Sequence, residues 1–147
     1  MRTIRSGFTL IETMAVLTIA GTAMGMAFPE VVRAVSHARV NQAAAVAAGD
    51  FELAASLADR QRRPVRVTID PVARTMTFTD RNSGTVLARR PFGTTTDFKL
   101  ERLIGAPAQV DLFPNGSASQ ATVVTLGLAG YARHITISRA GQVRVTP

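Results

Sequence analysis

The sequence has no cysteine and no tryptophan, and only one tyrosine, two histidines and one lysine. Without cysteine there is no disulfide, no thiolate metal site and no cysteine nucleophile. His37 and His134 alone leave almost nothing for a histidine-built metal site, so metalloenzyme and redox chemistry are set aside and no cofactor is expected. With 5% aromatic residues, a base-stacking surface for nucleic acid is thin. The 46% of hydrophobic residues among 147 is enough for one folded domain with an anchor or tail. The formal charge of +7 is carried almost wholly by arginine, which favours a surface that attracts anions and specifies no fold.

Acid is also nearly missing from the first thirty residues. Residues 1–7 carry Arg2 and Arg5 and no acid, and the 21 residues from Phe8 to Phe28 carry one charge, Glu12. A helix of that length spans about 31 Å, close to the ~30 Å hydrocarbon core of a bilayer. The two arginines place the N-terminal end in the cytoplasm and send the rest of the chain outward. A secretory signal cleaved after Ala27 fits poorly, because its apolar region is too long and holds a carboxylate. A charge inside a membrane helix costs about 2–3 kcal/mol at mid-depth, so Glu12 calls for a function.

Gly7-Phe8-Thr9-Leu10-Ile11-Glu12, after a short basic leader and at the head of an apolar helix, resembles the processing signal of type IV pilins and type II secretion pseudopilins. The resemblance implies cleavage by a membrane-embedded prepilin peptidase between Gly7 and Phe8, and methylation of the new Phe8 amine. Glu12 lies one helical turn past that amine. Pairing within one chain is strained, because helix side chains lean toward the N-terminus. Between staggered neighbours in a filament the same pair sets the register, the best-attested use of buried ion pairs. Gly21 and Gly25, spaced Gly-x-x-x-Gly, allow close helix packing in the membrane. Pro29 removes an i→i−4 hydrogen bond, and a kink is expected there.

From residue 29 to 63 the pattern predicts a continuation of the same helix. Val40, Ala44, Ala47, Phe51, Ala54 and Ala58 form one apolar stripe, with Val46, Leu53 and Leu57 in a second row beside it. Gln61-Arg62-Arg63-Pro64 ends the helix. Residues 64–147 read as short antiparallel strands at 65–69, 75–79, 85–88, 98–100, 109–113, 123–126, 134–137 and 143–145. Turns are expected at Asp70-Pro71, Pro114-Asn115-Gly116 and residues 139–142. The fold class is α+β: one long helix packed on antiparallel sheet.

That layout, with Phe113-Pro114-Asn115-Gly116-Ser117 and residues 135–145, resembles the H-type minor pseudopilins of type II secretion and the FimT-like minor pilins. The resemblance implies a structural subunit of a periplasmic pseudopilus, not an enzyme. It would sit in the bacterial inner membrane with a single pass and a periplasmic C-terminal domain. Its partners would be other pilins or pseudopilins through the N-terminal helix, the peptidase-methyltransferase, the inner-membrane assembly platform and lipid. The alternative is a FimT-like minor pilin with weak DNA binding. For that, Arg139 and Arg144 are the candidate contacts, although Gly141-Gln142-Val143-Arg144 lacks the first arginine of the Gly-Arg-x-Arg element of DNA-binding relatives. Ser138 near His134 has no orienting acid and carries no catalytic reading; no metal-binding loop is seen.

Overall fold

The computed structural model describes residues 9–147 and, at Met26, the backbone alone. Helix α1 runs from Leu10 to Gln61 and is followed by eight strands: β1 (Val65–Asp70), β2 (Thr75–Asp80), β3 (Val86–Pro91), β4 (Arg102–Ala106), β5 (Gln109–Leu112), β6 (Thr122–Leu128), β7 (Tyr131–Ile137) and β8 (Val143–Thr146). The chain forms two compact units, Met1–Val35 and Ser36–Pro147.

In the first unit the described residues from Leu10 onward are helical, and every described side chain is exposed. Pro29 lies inside the helix, where its missing N–H leaves the Gly25 carbonyl without a helical partner.

The second unit begins with the alanine-rich half of α1. The whole predicted stripe is buried there: Val40, Ala44 and Ala47 are sealed from solvent, as are Phe51, Ala54 and Ala58. Alanine combines strong helix propensity with a low profile, so the strands can approach the helix closely. The helix stops in a Schellman turn. Arg62 N–H donates to the Asp59 carbonyl and Arg63 N–H to the Ala58 carbonyl, both at 3.2 Å, with Arg62 at φ 51°. Pro64 then prevents continuation.

The strands make two antiparallel four-stranded sheets. Sheet A has the order β3-β2-β1-β5, with Val67 opposite both Phe78 and Val110. Sheet B has the order β4-β6-β7-β8, with Val124 opposite Ile135 and Ile135 opposite Val145. The inner faces share one core with the helix, in which Phe51 meets Phe78 edge-on at 6.5 Å.

Two strand expectations need correction. Residues 98–100 are not a strand: Lys99 takes φ 51°, and Leu100 N–H donates back to the Phe92 carbonyl at 3.0 Å. The apolar residues there fill the core from a turn, with Phe92 and Leu100 sealed and Phe98 against Phe92 at 5.3 Å. The strand of this region is β4, which pairs Leu103 with Leu126 and Gly105 with Val124. The expected strand at 85–88 continues to Pro91, because Arg90 pairs with Met76 in the ladder.

Candidate functional site

The N-terminal segment is built to present one charge on an otherwise apolar helix. Thr9 precedes the helix, and its Oγ1 accepts the Glu12 N–H at 3.3 Å, the geometry of an N-cap. The threonine hydroxyls that follow are satisfied by their own helix. Thr13 donates to the Leu10 carbonyl at 2.8 Å, Thr18 to Met14 at 2.8 Å and Thr22 to Ile19 at 2.9 Å. None of these hydroxyls needs water, which suits a segment in hydrocarbon. Glu12 is the one ionisable side chain among residues 9–28, and it is exposed. Gly21 and Gly25 have open space where a Cβ would stand, so a second helix can come close. The next charges, Glu30 and Arg33, pair at 3.1 Å beyond the apolar run. The helix is long and apolar enough to cross a membrane. Gly7 and Phe8, the expected cleavage residues, lie outside the described residues.

Several charges of the second unit form ion pairs that fasten elements together. Arg90 on β3 grips Asp50 of α1 through two bonds, Nε to Oδ2 at 2.7 Å and Nη2 to Oδ1 at 2.8 Å. That carboxylate raises the Arg90 pKa above its ordinary value. Arg66 and Arg81 share Asp111, at 2.7 and 3.2 Å. Asp80 accepts the N–H groups of Asn82 and Ser83 at 2.8 and 3.1 Å. Those bonds, Ser83 first, hold its carboxyl below the ordinary value, with Arg63 assisting and burial opposing.

A polar cluster ties α1 to sheet B and was not foreseen from the sequence. His37 stacks on Tyr131 with ring centroids 3.9 Å apart, and Asn41 Oδ1 accepts both Tyr131 Oη at 3.2 Å and Arg133 Nε at 2.8 Å. The spacing of His37 and Asn41, one helical turn, was the available signal.

Arg139 lies in the β7–β8 turn and Arg144 on β8 opposite Thr136; both are exposed, and neither forms an ion pair among the described residues. His134 and Ser138 do not meet as a catalytic pair. His134 Nδ1 sits 3.0 Å from Thr125 Oγ1, while Ser138 Oγ accepts the Gln142 N–H at 3.1 Å. Among the described residues no three His, Asp or Glu side chains gather to hold a metal.

These two units, a capped helix whose apolar run holds one carboxylate and a helix-on-two-sheets domain, define the pilin class of fold. Residues 2–28 match the prokaryotic N-terminal methylation motif. The type IV minor pilin FimU of Pseudomonas aeruginosa PAO1 is similar in structure in two crystal forms. One superimposes with a TM-score of 0.62 at 18% identity, covering 76% of this chain and 90% of FimU; the other with 0.58 at 19%, covering 73% and 92%. The minor pseudopilin EpsH of the Vibrio cholerae type 2 secretion system superimposes with a TM-score of 0.56 at 16% identity, covering 74% of this chain and 96% of EpsH. No curated protein sequence matches significantly. The chain is pilin-like: a prepilin-type N-terminus followed by the fold of minor pilins and pseudopilins.

Proposed function

We propose that the chain is a minor pseudopilin, a structural subunit of the periplasmic filament of a type II protein secretion system. In this reading it is cut after Gly7, methylated on Phe8 and anchored in the bacterial inner membrane by residues 8–28. The observation that carries the reading is the methylation motif over residues 2–28, placed at the head of a pilin-fold helix. Likeness to EpsH supports a secretion filament, and likeness to FimU supports the second reading, a minor pilin of a type IV pilus. Both readings share one mechanism. The subunit waits in the bilayer, and its Glu12 carboxylate is satisfied when it docks beside the methylated amine of a neighbour at the correct rise. Nothing in the placement of Arg139 and Arg144 favours DNA over solvent as their contact.

The test is Glu12→Ala in the full chain. Insertion and leader cleavage should persist, since removing the charge eases insertion by about 2–3 kcal/mol. Assembly should fail, because deleting one side of a buried pair typically costs about 3–5 kcal/mol. Single cysteines placed in the apolar segment, in a chain with none of its own, report assembly by crosslinking to co-expressed subunits. Wild-type crosslinking by the Glu12→Ala chain overturns the register mechanism.

A further inference from the structure

Sheet A has two edges, and they are finished differently. The β5 edge is covered by the chain that follows it: Ala118 bridges to Leu112, Ser119 N–H donates to the Asp111 carbonyl at 2.8 Å, and Gln120 Nε2 donates to the Gln109 carbonyl at 2.9 Å. At the other end β3 pairs with β2 alone, and no strand joins its outer side among the described residues. Beside β3 the helix leaves a gap. Leu53, Ala54 and Leu57 of α1 and Phe78 and Ala88 of the sheet line a small open groove of ≈ 50 Å³, next to the Asp50–Arg90 pair. Ala88 stands opposite Phe78 in the ladder and is too small to fill the gap, and Leu53 remains 52% exposed.

We propose that the β3 edge and this groove form a docking site for an extended segment of a different protein, one in which apolar and acidic residues alternate. A strand added to β3 would satisfy its outward main-chain groups, the usual use of an open edge. Every second side chain of that strand falls over the groove, where apolar groups replace water against Leu53, Leu57 and Phe78. The alternate side chains fall on the opposite face, beside Arg89, because the pleat puts neighbouring residues on opposite sides. Arg89 forms no ion pair among the described residues, whereas Arg90 is held by Asp50.

Charge selects the occupant. Pairing β3 with β3 of a second copy would bring Arg89 and Arg90 of both chains together. The edge strands of sheet B are β4 (Arg102–Ala106), which carries Arg102, and β8 (Val143–Thr146), which carries Arg144, and neither contains an acid. Each of these self-pairings sets arginine against arginine, and a partner strand bearing Asp or Glu meets no such repulsion. This inference does not depend on processing at Gly7 or on the role of Glu12.

The probe is the acetylated and amidated heptapeptide Glu-Val-Glu-Trp-Glu-Val-Glu, titrated into the full chain in zwitterionic detergent micelles. The chain has no tryptophan, so the emission belongs to the peptide. The expected result is a blue shift beyond that in empty micelles, with hydrogen exchange slowed at the amides of residues 86–90. Affinity should fall at least tenfold for the Lys-for-Glu peptide, for Ala88→Leu, which fills the groove, and for Arg89→Glu. Arg89→Lys should retain binding. No shift beyond empty micelles overturns the proposal, as does equal binding by the Lys peptide or by both the Ala88→Leu and Arg89→Glu chains.

Discussion

Thr9 Oγ1 accepts the Glu12 N–H at 3.3 Å, so the helix opens two residues after the expected cut at Gly7. Thr-x-x-Glu is the capping-box pattern, and an acid in the first turn also faces the positive end of the helix dipole. The observed bond uses the Glu12 main chain; by the pattern and the dipole its side chain would also help to start the helix, besides the intersubunit part proposed for it. The two are separable. Glu12→Gln keeps a side chain able to complete the box and removes the charge, so it should fail in assembly as Glu12→Ala does. If Glu12→Gln crosslinks like wild type while Glu12→Ala does not, the carboxylate acts through the cap and not through a neighbour's amine.

Ala129 is the weak residue of the β6–β7 hairpin. It sits at φ 50° and Gly130 at φ 80°, the two-residue turn in which both central positions are left-handed. Alanine is disfavoured there and asparagine or glycine is not, by roughly 1 kcal/mol. Ala129→Asn and Ala129→Gly should each raise the thermal midpoint by a few degrees in calorimetry. An unchanged or lower midpoint would contradict the turn assignment.

Gly105 on β4 marks a close approach between the sheets. A Cβ there would stand 2.5 Å from Ile69 Cδ1 and 3.1 Å from the Pro107 carbonyl oxygen. The isoleucine tip can turn, while the Ile69 Cβ, also at 3.1 Å, and the main-chain oxygen cannot. Gly105→Ala should destabilise the domain by about 1–3 kcal/mol in urea titration. Gly105→Ala combined with Ile69→Val should recover part of that loss, and no coupling between the two would count against the packing described.

Acid sensitivity should report Asp80. Its carboxyl titrates below the ordinary 3.8 in the folded chain, so the stability it contributes is fully present above that value. The contribution is lost as pH falls through the lower, folded value. Asp80→Asn keeps an oxygen for the Asn82 and Ser83 N–H groups and removes the titration. Its stability should fall less steeply than wild type as pH drops below 3.8, measured by urea midpoints. Parallel acid limbs would remove Asp80 from the account.

The helix and its buried stripe were legible in the sequence because both are local: apolar residues at helical spacing, a Gly-Phe junction and a lone acid. The first hairpin was legible for the same reason, since Asp70-Pro71 is a strong turn signal; Asp70 Oδ1 accepts the N–H groups of Val72 and Ala73 at 2.8 and 2.9 Å. Residues 98–100 misled because apolar residues filling a core from a turn look like a strand in one dimension. β4 was hidden by Gly105, which reflects contact with Ile69, and by Pro107 in the two-residue connection from β4 of sheet B to β5 of sheet A. The Ala129-Gly130 turn gave no asparagine or aspartate signal. The Asp50–Arg90 pair and the groove beside it join residues forty positions apart, and no local pattern announces them.

The central claim is that this chain is processed as a pilin-like subunit, and the N-terminus of the protein from native membranes tests it most directly. Intact-mass and N-terminal peptide analysis should find the mature chain beginning at Phe8 with one methyl group on its amine. A chain that begins at Met1, or one cut after Ala27 to begin at Phe28, would contradict the account.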